Sequence, residues 1–256
     1  MSRHIKRRRP AEPGSIPAVL DSFRAEVRFY REIAPVVGVR VPGCYSAEAG
    51  ADGTVLVLED LSAWRPGADP AVAARLLCGM HRRWEESAPS RWPWLRPVGA
   101  ATDLVEELFD RVWPRLASRP DLSSGARSLG ERLVGRVVES ELRIGQAGPL
   151  TLVHGDASLR NMCTGPDGEV ALLDWEDVSA APGIIDLAWL LLSSVEPGQW
   201  DSVIAAYGAA EHLAVVLPAI AVQGLLSLAD TDTGSAEAAA WNRRLDAAAD
   251  RMKDTL

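Results

Sequence analysis

Four polar residues in the second half of the chain have types and a spacing that could support chemistry. Asp156 follows His154 by two residues, Asn161 follows Asp156 by five, and Asp174 comes after a further short segment. Carboxylate and amide oxygens suit a hard cation such as Mg²⁺, which proteins bind through one or two oxygens plus phosphates and water. A further carboxylate could orient a hydroxyl and accept its proton, so the set has the composition that phosphoryl transfer needs.

A purely structural interpretation uses the same residues as polar turns of a hairpin, in which Asp156 and Asn161 only cap loops. With residue frequencies of about 5% each, four specified positions recur by chance at roughly one site in 10⁵. We favour the functional interpretation for the four residues together, while the spacing alone leaves both open.

Short strands are predicted to position these residues, at 150–154, 161–164 and 169–174. A Pro-Asp-Gly sequence at 166–168 marks a tight turn between the last two strands. Asp156 then lies on a loop after the first strand, and Asn161 and Asp174 lie at the two ends of a hairpin.

The first 60 or so residues predict a small unit of mixed helix and strand. Apolar residues at helical spacing predict a helix over 21–34, with Asp21 or Ser22 available as its N-cap. Two β-like runs follow at 39–45 and 54–59, and the Asp-Gly pair between them favours an antiparallel hairpin.

A larger, mainly helical unit is predicted after a linker at 61–69. Asp69 and Pro70 suit the N-cap and first position of a helix. The helical patterns cover 70–86, 102–117, 124–143 and the chain from 184 onward.

The motif HGDxxxxN at 154–161, followed by DWE at 174–176, resembles the aminoglycoside phosphotransferase and choline-kinase-like family of small-molecule kinases. Supporting similarities are FRAEVRFYREIA at 23–34, LVLEDL at 56–61, LLCGMH at 76–81 and GIIDLA at 183–188. The resemblance implies an α+β, bilobal, protein-kinase-like fold. Its lobes would be a short nucleotide-side lobe of a small antiparallel sheet and one helix at 1–62, and a helical lobe at 63–256. The second lobe would contain the catalytic loop 153–161 and the metal motif 172–176.

The resemblance also assigns roles to the motif residues. Asp156 would be the catalytic base that aligns the acceptor hydroxyl, and Asn161 and Asp174 would hold Mg²⁺ between the nucleotide phosphates. His154 and Asp186 would support the catalytic loop.

On the nucleotide side, the resemblance makes Lys6 the phosphate-binding lysine that pairs with Glu26, and it places Glu59 and Leu61 near the nucleotide. Lys6 is the only lysine before Glu26, and residues 2–6 could be the end of a strand. The alternative is a solvated basic tail, since arginines surround Lys6.

The chain departs from the family at its start, because two strands and a phosphate-covering loop precede the lysine in the family and only five residues do here. Three explanations stay open. The start could lie inside a longer gene, the chain could be a non-catalytic relative, or another element could cover the nucleotide.

The distribution of net charge along the chain indicates which classes of partner the protein could bind. The first nine residues contribute +5 to a total of −8, so everything after them sums to −13. This balance argues against general nucleic-acid binding and favours a cationic acceptor. Glu176 and Asp177 are candidate acceptor contacts, as are Asp230, Asp232 and Glu237 in the C-terminal helices; taken singly, an acid of this kind is more often an ordinary surface residue.

Three scattered cysteines without metal or redox spacing are typical of reduced thiols in a cytoplasmic protein. The charge-free run 213–229 is interrupted by proline, glutamine and glycine and is short for a bilayer span, so we expect a buried helix and no membrane contact. Oligomeric state stays open.

The leading hypothesis is therefore a kinase that moves the γ-phosphate of ATP or GTP to a hydroxyl of a small molecule. An aminoglycoside is the first candidate acceptor, which would connect the protein to antibiotic resistance; choline-like amines, other antibiotics and sugars stay open. The alternative is a kinase-fold binding protein, or pseudokinase, with little turnover.

Overall fold

The computed structural model describes residues 2–208 and 210–252. Its first sheet is antiparallel and contains β1 (Arg3–Arg8), β2 (Cys44–Gly50) and β3 (Gly53–Glu59), in the order β1-β3-β2. Lys6 lies on β1 opposite Leu56 of β3. Leu56 and Leu58 are buried, so β3 turns alternate side chains into the core.

The Asp-Gly hairpin is present, but the predicted strand at 39–45 is wrong in its first half. Gly50 pairs with Gly53 across the turn, and β2 begins only at Cys44. Pro42 has no backbone N–H to donate, and Arg40 forms only an isolated bridge to Ala171. The segment before β2 therefore crosses toward the second half of the chain instead of lengthening the sheet.

The predicted helix at 21–34 is α2 (Ser22–Arg28) continued by a π-helical turn, Phe29–Ile33, and it follows a short α1 (Ile16–Val19). Asp21 is the N-cap residue, as predicted, with a positive φ of 50°, but its side chain makes no capping hydrogen bond. The ring of Phe29 stacks on Trp175, with centroids 4.0 Å apart. This contact fixes α2, and with it Glu26, against the DWE segment.

The helical part begins at Pro70, where the Asp69 side chain accepts hydrogen bonds from the backbone N–H groups of Ala71 and Val72, as predicted. The predicted helix at 124–143 is instead two helices, because Gly135 takes a φ of +69° between them. The helices are α3 (Pro70–Trp84), α4 (Ala88–Arg91), α5 (Thr102–Ala117), α6 (Ser124–Leu133), α7 (Val137–Arg143), α8 (Ile184–Ser194), α9 (Trp200–Tyr207), α10 (Leu213–Ala229) and α11 (Ala236–Arg251), with 3₁₀ turns at Ile144–Gln146, Leu159–Asn161 and Pro197–Gln199.

Helix α10 is the charge-free run predicted to be buried, and it packs among α5, α7, α8 and α11. Within the described residues, no helix combines the length and hydrophobicity needed to cross a bilayer. Residues 253–256, which the predicted helical lobe includes, lie outside the described residues.

Two small antiparallel sheets hold the catalytic segment. One contains β4 (Arg65–Pro66), β6 (Met162–Thr164) and β7 (Val170–Leu172), and the other pairs β5 (Leu150–Val153) with β8 (Ser179–Pro182). The predicted linker at 61–69 thus contributes a strand, β4. The boundary predicted at residue 62 falls between β3 and β4 and stays a prediction.

Candidate active site

The loop after β5 is anchored by the buried carboxylate of Asp186, on the first turn of α8. Asp186 Oδ2 accepts hydrogen bonds from the His154 backbone N–H at 2.8 Å and His81 Nε2 at 3.0 Å, and Oδ1 accepts one from the Gly155 N–H at 2.9 Å. Burial would raise the pKa of Asp186, but the His81 ring and these N–H groups outweigh it and hold that pKa below its ordinary value. An ionised Asp186 therefore fixes the backbone of the loop to the first turn of α8.

Gly155 and His154 set the path of the loop. Gly155 has a φ of +86°, and a Cβ there would lie 2.2 Å from the carbonyl oxygen of Asp177, so no other residue fits. The Asp156 backbone N–H donates to His154 Nδ1 at 3.2 Å, so the other ring nitrogen carries the proton and donates to the Leu173 carbonyl at 2.9 Å. His154 thus joins the loop to the β6–β7 hairpin.

The carboxylate of Asp156 is held at both oxygens. Asn161 Nδ2 donates to Oδ2 at 2.8 Å, and the indole Nε1–H of Trp189 on α8 donates to Oδ1. Sequence analysis missed Trp189, because its contact with Asp156 joins residues 33 positions apart through the packing of α8. Two donors fix the rotamer of Asp156.

Asn161 comes just before the first strand of the hairpin and Asp174 just after the second. Backbone pairing of the two strands places both residues at the open end of the hairpin. The Leu173 N–H donates to the Asn161 carbonyl at 2.8 Å, one step beyond the Met162–Leu172 pair. Asp174 itself takes a φ of +61°, a strained conformation for a residue with a Cβ. The structure therefore brings the predicted metal ligands to one end of one hairpin.

Lys6 lies among three carboxylates. Its Nζ is 2.7 Å from Glu26 Oε2, 2.5 Å from Asp174 Oδ1 and 3.7 Å from Glu176 Oε2. Burial lowers the pKa of Lys6, but the attraction of Glu26 and Asp174 outweighs it and raises that pKa. The Glu26 side chain is only 2% exposed, and its burial raises the pKa of that carboxyl despite Lys6. Lys6 is thus an ion-paired residue of the site, not part of a solvated tail.

The donor atoms at this position fit a hard divalent cation. Glu26, Asp174 and Glu176 each offer one oxygen, and these oxygens lie within 4.8 Å of one another. The amide nitrogen of Asn161 faces Asp156, so its amide oxygen faces away from that carboxylate and is free to act as a ligand. An all-oxygen donor set of this kind suits Mg²⁺.

A cavity of about 670 Å³, here called the first cavity, lies between the first sheet and the hairpin. Lys6, Glu26 and Asp174 line it, and so do the predicted residues Glu59 and Leu61. The Glu59 carboxylate is held in two hydrogen bonds, at 2.7 and 2.6 Å, by the guanidinium of Arg40, a residue that sequence analysis did not single out. Arg40, through its side-chain hydrogen bonds, and the Gly43 N–H lower the pKa of Glu59, so this wall of the cavity is ionised and fixed.

A second cavity, of about 420 Å³, lies on the other side of the catalytic loop. Gly155, which precedes Asp156 in the chain, and Trp189, whose indole N–H binds Asp156, both line it. Asp177 also lines it, with Oδ1 3.4 Å from Nη2 of Arg96.

The residues predicted to contact the acceptor lie on different sides of the catalytic loop. Glu176 lies with Lys6 and with Arg8, whose Nη2 is 3.2 Å from its carboxylate, whereas Asp177 and Asp230 line the second cavity. Burial and the nearby Asp174 raise the pKa of Glu176. The neighbouring acids Glu176 and Asp177 therefore lie on opposite sides of the catalytic loop. Asp232 and Glu237 are not among the lining residues.

Solved structures share this architecture. An aminoglycoside phosphotransferase of Streptomyces rimosus, in complex with ADP and streptomycin, matches with a TM-score of 0.59 and 19% identity over 88% of this chain and 86% of that one. A choline kinase of Streptococcus pneumoniae matches with a TM-score of 0.56 and 16% identity over 91% and 83%. An aminoglycoside phosphotransferase of Alicyclobacillus acidocaldarius subsp. acidocaldarius matches with a TM-score of 0.51 and 16% identity over 98% and 83%.

These identities are low enough that the likeness concerns the fold, which is the kinase-like α+β fold expected from the sequence. Among curated proteins, no sequence matches this chain closely enough to count as a relative. The family model described as "Phosphotransferase enzyme family" matches residues 8–222, well over half of the sequence. The chain therefore belongs to this phosphotransferase family, as its HGDxxxxN and DWE motifs predicted.

Proposed function

We propose that this protein transfers the γ-phosphate of ATP or GTP to a hydroxyl of a small molecule. The observation that supports this best is that the two side chains that hold Asp156 belong to elements bordering two cavities of different chemistry. Asn161 holds it from the hairpin that borders the first cavity, and Trp189 holds it from the wall of the second. A group between a donor site and an acceptor site is what a transferase needs.

The nucleotide would lie in the first cavity, with Glu59 and Leu61 near the base and Lys6 near the phosphates. Asn161 and Asp174 would hold Mg²⁺, which neutralises charge on the phosphates when bound. Lys6 is already oriented by Glu26, so its ammonium group would move from Asp174 to a phosphate without losing its buried partner.

The acceptor would enter the second cavity with one hydroxyl at Asp156. Asp156 aligns that hydroxyl and accepts its proton as the hydroxyl oxygen bonds to the γ-phosphorus. The bond between that phosphorus and the bridging oxygen breaks at the same time, and the nucleoside diphosphate leaves. Asp186 and His154 would act as positioning residues, since both bind the loop and neither touches the reacting atoms.

The named ligands of the structural neighbours agree with this proposal. One neighbour was solved with ADP and streptomycin, and another is a choline kinase, so both pair the fold with a small-molecule substrate. We extend nucleotide binding and a small-molecule acceptor to this chain. We also propose a cytoplasmic location, where its three unpaired cysteines stay reduced.

Calorimetric titration of ATP and GTP with and without Mg²⁺, followed by diphosphate release across a panel of hydroxyl acceptors, tests the proposal. The expected result is Mg²⁺-dependent nucleotide binding and acceptor-dependent release. Binding without release for any acceptor would favour the binding-protein alternative. A protein that binds neither nucleotide at millimolar concentration would contradict the kinase function.

A further inference from the structure

The second cavity has walls that are mostly apolar. Its lining includes Leu20, Val98, Val105, Leu108, Ile144 and Ile220. Such walls stabilise a ligand by removing apolar surface from water, and a few polar groups then fix its orientation. The ligand that fits this cavity must therefore present an apolar surface over much of its area.

One carboxylate on this lining has no partner among the residues that the structure describes. Glu141, on α7, has a buried Oε1 atom with no hydrogen bond to any described residue. Two residues earlier on the same helix, the exposed Glu139 pairs with Arg143 at 2.5 Å, so the unpaired state is particular to Glu141. Burial alone raises the pKa of Glu141 to about 7, since no neighbouring cation offsets it.

The other charged groups on the lining are already satisfied or solvated. Arg96 and Asp177 pair with each other, and Asp230 is exposed at the end of α10. Glu141 is therefore the lining carboxylate, among the described residues, that has a buried oxygen without a hydrogen bond or an ion pair. A cation placed beside it would replace the lost hydration of the carboxylate.

We propose that Glu141 binds an ammonium group of the acceptor, and that the acceptor is a molecule with one amine on a largely apolar skeleton. Its hydroxyl would reach Asp156 beside Trp189, while Gln223 and Ser227, which line the same cavity, would offer polar contacts. The inference rests on the proposed function, which places the acceptor in this cavity. A polyhydroxylated polycation fits less well, because its further hydroxyl and ammonium groups would face apolar walls without partners.

Ligand-observed NMR titrations on the full chain test this without requiring turnover. The probes are 2-phenylethylamine, which has one amine on an apolar body, 2-phenylethanol, its uncharged counterpart, and streptomycin. The variant is Glu141→Gln, which keeps the shape and removes the charge. The matched control is Glu139→Gln, the same change on the exposed face of the same helix. Phosphate transfer to hydroxyl acceptors is measured on the same samples.

We expect the wild-type protein and Glu139→Gln to bind phenylethylamine at least about tenfold more tightly than phenylethanol, and Glu141→Gln to bind the two about equally. Streptomycin should not show a comparable dependence on Glu141. An equal affinity for both probes in the wild type, a preference that survives in Glu141→Gln, or no binding of either probe would overturn the inference. A clear amine preference without phosphate transfer to any acceptor would instead contradict the proposed function and leave the amine site standing.

Discussion

In the first cavity Lys6 and Glu59 are held in ion pairs, whereas the second cavity contains a carboxylate, Glu141, with no charged partner among the described residues. Lys6 lies between Glu26, Asp174 and Glu176, and Arg40 holds Glu59. In the second cavity, Glu141 lies among apolar walls. Carboxylates that are already paired hold Lys6 in place for a ligand of constant chemistry, such as a nucleotide phosphate chain. An unpaired carboxylate with a buried oxygen, such as that of Glu141, leaves its charge for a ligand to neutralise.

The largest effect on turnover is expected from substitution of Asp156. Asp156→Asn keeps the shape of the side chain but removes the proton acceptor, so turnover should fall by about 10²-fold or more. Nucleotide affinity should change little and the melting temperature should fall only modestly, because Asn can still accept from Trp189 although the hydrogen bond from Asn161 is lost. Steady-state kinetics and calorimetry on the same preparation measure both, and unchanged turnover would remove Asp156 from the role of base.

The next effect concerns the paired charges of the first cavity. Lys6→Met should weaken transfer by roughly 10- to 100-fold, and it should also destabilise the protein by about 1–3 kcal/mol because Glu26 loses its buried partner. Nucleotide titration and urea unfolding measure the two effects. Arg3→Met, on the opposite face of the same strand, is the control and should be near neutral. Equal effects of the two variants would show that Lys6 has no special place in the site.

A smaller effect is expected from the hydrogen bond between Trp189 and Asp156. Trp189→Phe keeps an aromatic wall but removes the donor, so kcat should fall by about tenfold while the KM for nucleotide stays constant. Trp94→Phe removes an indole N–H that binds Glu32 at 2.8 Å, away from the catalytic loop, and is the matched control. A change in nucleotide KM with unchanged kcat would contradict a positioning role for Trp189.

The smallest effect is expected on the free energy of unfolding, from substitution of Glu141 in the second cavity. Because the folded-state pKa of Glu141 is about 7, above the ordinary value of 4.5, folding is weakened as pH rises between these values. Glu141→Gln removes this penalty and should stabilise the protein by about 1–2 kcal/mol at pH 8, with little gain near pH 4. Denaturant unfolding at several pH values measures the difference. A gain that does not depend on pH would mean that Glu141 does not titrate in this way.

Local patterns predicted a good part of the fold. The helices at 102–117 and 213–229 have the bounds that apolar periodicity and a charge-free run indicated, and Asp69 caps α3 as expected. Errors arose where a single residue overrode a pattern. Pro42 delays β2, and Gly135 divides the helix predicted at 124–143. Proline and glycine act here through their own backbone preferences, which the spacing of apolar residues does not show.

The motif residues of the site could be located from the sequence because they lie within short spacings on one loop and one hairpin. Lys6 and Glu26 needed the family resemblance, and the structure joins them through an ion pair. Trp189, Arg40 and Glu141 could not be found in this way. Their importance comes from tertiary contacts or from a missing partner, and neither leaves a spacing signal in the sequence.

Phosphorus-31 NMR of a mixture of the protein, Mg²⁺, ATP and an acceptor panel tests the central claim most directly, because it follows the phosphoryl group itself. We predict that the γ-phosphate signal declines and that a phosphomonoester signal of equal amount appears with at least one hydroxyl acceptor, and that Asp156→Asn abolishes both changes. An unchanged ATP spectrum with every acceptor, or conversion to inorganic phosphate alone, would contradict the account.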